Sequence, residues 1–151
     1  ASARMRGSWA VMVRCPAPVP LPWDGAFINN GPLRWVARDC SKPGRTVPLG
    51  TETWLLHASP EWSEAHIEDS ADTVSATLLA AFAALGGPAT HLVQATAHRW
   101  RYADTEPALT QGHWWDATAC VGMCGDWLNG GKVEGAWLSG QSLAHQLQQA
   151  R

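Results

Sequence analysis

The class this sequence predicts is a mixed α/β fold, an antiparallel sheet with flanking helices, and three observations carry it. Short runs of strand-forming residues, punctuated by Gly, Asn and Pro turns, follow one another between residues 9 and 58. A single strong helical period, Val74, Leu78, Phe82 and Leu85, comes after them. The chain closes on a strand, an acidic turn and a helix that starts with small residues, around Cys124-Gly125-Asp126-Trp127 and Gly135-Ala136-Trp137-Leu138-Ser139-Gly140.

In chain order, residues 1–8 form a small basic leader with no pattern to argue from. Residues 9–15 read as a strand that ends where Pro16, Pro18, Pro20 and Pro22 impose an extended connection. Asp24-Gly25 and Asn29-Asn30-Gly31-Pro32 bracket Ala26-Phe27-Ile28, and residues 33–38 then alternate apolar with polar, so a hairpin is expected. After a polar turn at residues 41–45, residues 53–58 make the next strand.

Ser59 and Pro60 suit the cap and first turn of a short helix over residues 61–67. A longer helix follows Asp69-Ser70 and stops at Gly86-Gly87-Pro88. Its apolar stripe predicts a face packed on the sheet rather than a ligand site. Residues 91–103 read as a long strand with Leu92, Gln94, Thr96, His98, Trp100 and Tyr102 on one side, and residues 104–112 as a loop. The stretch 112–116 fits no element clearly, and residues 119–124 form the strand that leads into Gly125-Asp126. Repeats, low-complexity tracts and internal linkers are absent.

A chain of 151 residues, 46% hydrophobic, suffices for one ordinary core. The 11 basic and 13 acidic residues are scattered, which leaves no electropositive stripe for nucleic acid. No apolar run reaches the roughly 18 residues of a membrane span, so a protein of the cytoplasm is expected. Cys15, Cys40, Cys120 and Cys124 are too few and too irregular for a disulfide framework, and they read as reduced. Cys120 and Cys124 lack a second pair at zinc spacing; in a strand they are expected to be small core residues, and no metal site is assigned. Ten Trp against one Tyr and two Phe suggest that several line a pocket or an interdomain face, with Trp62 and Trp114 left to packing.

The closing stretch carries the candidate chemistry. Asp126 follows a strand end beside Gly125, where a ribose or pyrophosphate can approach the backbone. Gly135, Ala136, Ser139 and Gly140 leave one helix face small enough for a neighbouring segment or a flat ring. Val133 and Glu134 precede that helix and have amides free to meet an acceptor. Tight core packing explains the same pattern equally well.

Cys124-Gly125-Asp126-Trp127 followed by Gly131-Lys132-Val133-Glu134-Gly135-Ala136-Trp137-Leu138-Ser139-Gly140 resembles the C-terminal flavin motif of FAD-dependent amine oxidase-type flavoproteins. Within that superfamily the chain is most similar to bacterial renalase-like oxidoreductases. Leu21-Pro22-Trp23-Asp24-Gly25-Ala26-Phe27, Trp35-Val36-Ala37-Arg38, Ser41-Lys42-Pro43-Gly44-Arg45, His57-Ala58-Ser59-Pro60-Glu61-Trp62 and His98-Arg99-Trp100-Arg101-Tyr102-Ala103 extend the likeness over most of its length.

The resemblance implies that residues 1–117 belong to a substrate domain. Residues 118–151 would supply the strand and helix that complete a Rossmann-like FAD domain. Gly125, Asp126 and Trp127 would lie by the ribityl and pyrophosphate part of FAD. Val133, Glu134, Gly135 and Ala136 would run along the pyrimidine side of its ring, Glu134 as a structural residue rather than a base. The implied activity is oxidation of a dihydronicotinamide, an isomer of NAD(P)H, by hydride transfer to flavin with oxygen as final acceptor. Such a transfer depends on holding the donor carbon against the ring, so no catalytic side chain is assigned. His57, His66, Trp100 and Tyr102 are the candidate substrate contacts, against the competing reading of structural or exposed side chains. The family's GxGxxG turn is missing from this sequence, which implies that the N-terminal half of the FAD site comes from elsewhere in a longer chain or from a partner chain. Alternative readings are a flavin amine oxidase and a non-catalytic interaction module built on the same fold.

Overall fold

A computed structural model of the chain describes residues 3–88 and 90–149. Ala1 and Ser2 of the expected leader, Ala89, and residues 150–151 of the C-terminal segment lie outside them. The chain divides into two compact units, Gly7–Arg101 and a second made of Tyr102 onward with the N-terminal residues up to Arg6. The division cuts β1 (Met5–Cys15) after Arg6 and β5 (Gln94–Thr105) after Arg101.

Five strands form an antiparallel sheet in the order β2 (Gly25–Phe27), β3 (Leu33–Arg38), β4 (Glu52–Ala58), β1, β5. Val36 lies opposite Ala26 on one side and Leu56 on the other, and Leu56 opposite Val11. The Val93 amide donates to the Arg14 carbonyl at 2.9 Å where β5 begins. β1 starts before the expected residue 9, inside the stretch read as a leader without structure. Its partners determine this: a Cβ on Gly7 would come within 2.5 Å of Ile67 Cδ1 and 3.3 Å of the Trp100 carbonyl oxygen, so the strand is drawn in by close approach rather than by side-chain pattern.

Alternation along the strands sorts the sheet into two faces. Trp9, Val11, Val13, Cys15, Val36, Trp54 and Leu56 pack with Val74, Leu78 and Phe82 of α2 (Ala71–Ala84) into the core. Each such large side chain taken out of water contributes about 1.5–3 kcal/mol. α2 begins where Ser70 Oγ accepts the Thr73 amide at 3.1 Å. The shorter α1 (Pro60–Ala65) is capped in the same way by Ser59, whose Oγ accepts the Trp62 amide at 3.2 Å. Buried Ser63 on α1 accepts the Trp9 amide at 3.1 Å and ties helix to sheet.

In the second unit, β6 (Trp114–Asp116) and β7 (Val121–Met123) form a two-stranded hairpin, which resolves the ambiguous stretch before it. A 3₁₀ turn at Asp126–Leu128 leads to α3 (Val133–Gln149). β7 is shorter than residues 119–124 because Cys120 sits at φ 52°, in the left-handed region, and the Asp116 carboxylate accepts the Thr118 and Ala119 amides of the turn at 2.9 and 3.0 Å. Cys120 and Cys124 are therefore exposed, not the core residues expected. All four cysteines are free thiols. Among the described residues no helix is long and apolar enough to cross a membrane.

Candidate functional site

The turn between β7 and α3 is organised by one buried serine. Ser139, on the second turn of α3, accepts the Gly125 amide at 2.9 Å and donates to the Gly112 carbonyl. Gly125 is fully extended, at φ 163°, and a Cβ there would lie 2.6 Å from Trp127 Nε1, so the half-buried indole folds over the glycine. Asp126 uses its carbonyl to accept the Asn129 and Gly131 amides at 2.9 and 2.8 Å, which leaves its carboxylate exposed.

α3 starts at Val133, and Lys132 carbonyl accepts the Ala136 amide at 2.9 Å. The amides of Val133, Glu134 and Gly135 thus occupy the first turn, where no intrahelical acceptor exists and the helix dipole is positive. Val133 and Glu134 are exposed and Ala136 is half-buried. Gly135 is buried, and an added Cβ would fall 2.0 Å from the Asn129 carbonyl oxygen. The small-residue face at Gly135 therefore accommodates the chain's own backbone.

The substrate candidates are distributed differently. His57, on β4, points to the sheet face away from α2, since it lies opposite Ala10 while its neighbours Leu56 and Ala58 enter the core. Burial, reinforced by the positive charge of Lys42, holds its imidazole below the ordinary value. Trp100 is half-exposed on β5 and meets His98 edge-on at 4.4 Å. His66 instead follows α1, with Nδ1 2.8 Å from Asp69 Oδ2, its ring stacked on Trp62 at 4.3 Å and its carbonyl accepting Trp9 Nε1. That is a structural set of contacts. Tyr102 is exposed at the start of the other unit. Of the tryptophans, Trp9 and Trp54 are core, Trp62 packs against it, and Trp114, expected to be packing, is exposed on the hairpin edge.

Two features escaped the sequence reading. Ser139 registered only as a small residue; the signal for its role was a lone hydroxyl on the buried face of α3 beside Gly135. The second is a cleft of about 710 Å³ on the sheet face away from α2, with Met12, Arg14, Thr53, Leu55, Gln94 and Thr96 among its lining. Among the described residues no cluster of His, Cys, Asp or Glu suits a metal ion.

No family model matches the sequence. Twelve solved chains match it in structure. One is the crystal structure titled "Putative protoporphyrinogen oxidase" from Exiguobacterium sp. 255-15, at a TM-score of 0.60 and 10% identity over 68% of this chain. The match covers 24% of that chain, so the present sequence spans about a quarter of its length. At this identity the likeness concerns the fold.

Proposed function

We propose that this chain is the C-terminal part of an FAD-dependent oxidoreductase, its missing GxGxxG half supplied by the same or a second polypeptide. The observation that carries the reading is the shared fold, over two thirds of the present chain, with the protein titled "Putative protoporphyrinogen oxidase". The turn before α3 adds to it: the first-turn amides of Val133 and Glu134, two exposed residues, lack an acceptor within the helix, and together with exposed Asp126 they suit the ring edge and sugar chain of a flavin. The fit is to one edge only, because Gly135 is closed by Asn129 and no phosphate cradle is encoded. When bound, FAD supplies the hydride acceptor. Residues 118–151 hold its edge, and residues 1–117 present the substrate.

The finer reading is a renalase-like enzyme of the cytoplasm that oxidises an isomeric dihydronicotinamide, with oxygen as final acceptor. His57 and Trp100 on the open sheet face are its substrate contacts, and orientation rather than acid–base chemistry is their task. The test is spectroscopic. The protein completed with its GxGxxG half should carry flavin absorbance that bleaches anaerobically with isomeric NADH and not with amines. Bleaching by amines alone would replace the reading with an amine oxidase, and a complete protein that stays colourless with added FAD would end both.

A second reading, a non-catalytic interaction module, rests on the apolar surface of the second unit. Trp114, Val121, Met123, Val133 and Trp137 are all exposed there, which suits a face that is covered by another chain. A stable colourless heteromer with a GxGxxG-bearing chain would select it.

A further inference from the structure

We infer that the cleft on the open face of the sheet is a binding site for an apolar monocarboxylate, with Arg14 as its anion anchor. Three adjacent strands make the floor, β1 with Met12 and Arg14, β4 with Thr53 and Leu55, and β5 with Gln94 and Thr96. Arg14 stands opposite Thr53 and Met12 opposite Leu55, so the paired side chains rise on the same side. The segment with Arg45, Val47 and Pro48 closes another wall. About 710 Å³ falls in the usual range of small-molecule pockets, about 300–1,000 Å³.

The charges in the cleft point to the ligand. Asp39, the acid in its lining, is already engaged: one oxygen is 2.8 Å from Lys42 Nζ and the other 3.5 Å from Arg45 Nε. Among the described residues nothing hydrogen-bonds or pairs with the Arg14 guanidinium, although the side chain is half-buried. A partly buried guanidinium without a partner gains from a carboxylate, which it meets through two parallel hydrogen bonds. Gln94 Nε2 donates to Thr96 Oγ1 at 3.2 Å, so the Thr96 hydroxyl retains its proton as a second donor. Met12 and Leu55 offer an apolar bed, and Met12 is 46% exposed in the middle of the sheet. One anionic end and an otherwise apolar body match this lining, because the other cation in it, Arg45, already faces Asp39. None of these residues is assigned to flavin, and occupancy requires no flavin.

The probe is 2-naphthoate, with 2-naphthalenemethanol as its neutral counterpart, titrated calorimetrically into the full chain. Naphthoate should bind saturably and the alcohol at least tenfold more weakly. Arg14→Gln should weaken naphthoate about ten- to a hundredfold, the loss of one charge-assisted pair, and leave the alcohol unchanged. Arg14→Lys should recover part of the loss. Leu55→Trp, which fills the apolar floor while keeping Arg14, should abolish binding. Circular dichroism melts matching the parent show that each variant folds. Equal binding of acid and alcohol, undiminished naphthoate binding by Arg14→Gln or Leu55→Trp, or no saturable binding to the parent chain would overturn the inference.

Discussion

Arg38 Nη1 donates to Glu52 Oε1 at 2.6 Å inside the larger unit, and Glu52 is only 7% exposed. Its second oxygen accepts the Val19 amide and Trp54 Nε1, both at 3.0 Å, while Arg38 Nη2 donates to the Leu21 carbonyl at 2.9 Å. One ion pair thereby fastens the proline-rich connection after β1 to β3 and β4. Glu52→Ala leaves Arg38 only the exposed Asp24 carboxylate, 3.0 Å from Nε, and takes away the buried acceptor of the Val19 amide and Trp54 Nε1, so it should cost about 1–3 kcal/mol. Urea denaturation measures it. A loss under 1 kcal/mol would show that the connection is held by its apolar contacts alone.

Gly135 is the point of closest approach between α3 and the loop before it. Gly135→Ala must displace the Asn129 backbone, a shift no side-chain rotation relieves. In an open helix position the same change would stabilise by about 0.5–1 kcal/mol. Here it should lower the thermal midpoint, whereas Gly140→Ala, where an added Cβ meets nothing within 4 Å, should raise it slightly.

The pH dependence of stability should carry the mark of His57. Its imidazole titrates below 6.5 in the folded chain, through burial first and then the charge of Lys42. The unfolded chain therefore takes up the proton first as pH falls. The stability tied to neutral His57 is complete above 6.5 and is lost as pH drops through the folded value. Denaturant midpoints of His57→Gln should fall less than those of the parent across this acid range. Parallel curves would remove His57 as the cause.

The buried and the exposed thiols should divide by reactivity. Burial, then Glu52, then Cys40 push the Cys15 thiol up to about 11, and its side chain is enclosed in the core. Cys120 and Cys124 are exposed on the hairpin and the turn after it. A thiol reagent at pH 8 should modify Cys120 and Cys124 rapidly and Cys15 only on unfolding. Peptide mapping of the labelled native chain reads this directly, and fast labelling of Cys15 would contradict the packing around it.

Much of the larger unit was legible because its signals are local. β3 was read at its observed bounds from one turn and one alternation, and α2 from its stripe, its start after Asp69-Ser70 and its glycine stop. The start of β1 was not, since Gly7 belongs to the sheet through Ile67 and Trp100, which lie far away in sequence. Cys120 and Cys124 were misplaced because the alternation around them indicates a strand without revealing that it is only three residues long, Val121–Met123, with Cys120 in the turn before it and Cys124 beyond its end. The candidate flavin segment was recognisable as a continuous stretch. Arg14 was not, because its cleft is assembled from residues on three strands and a loop, and a lone arginine among apolar neighbours carries no signal of its own.

Ser139 has a bearing on kinetics as well as on architecture. One hydroxyl joins the segment before β6, the turn after β7 and the second turn of α3. The Gly125 amide is protected by a side chain and not by a ladder, so it exchanges with solvent only when that part of α3 moves away or its side chain turns. Hydrogen exchange at Gly125 should then follow the opening of α3, and Ser139→Ala should uncouple the two. The backbone of the proposed flavin segment is thus timed by a helix turn fourteen residues further along the chain.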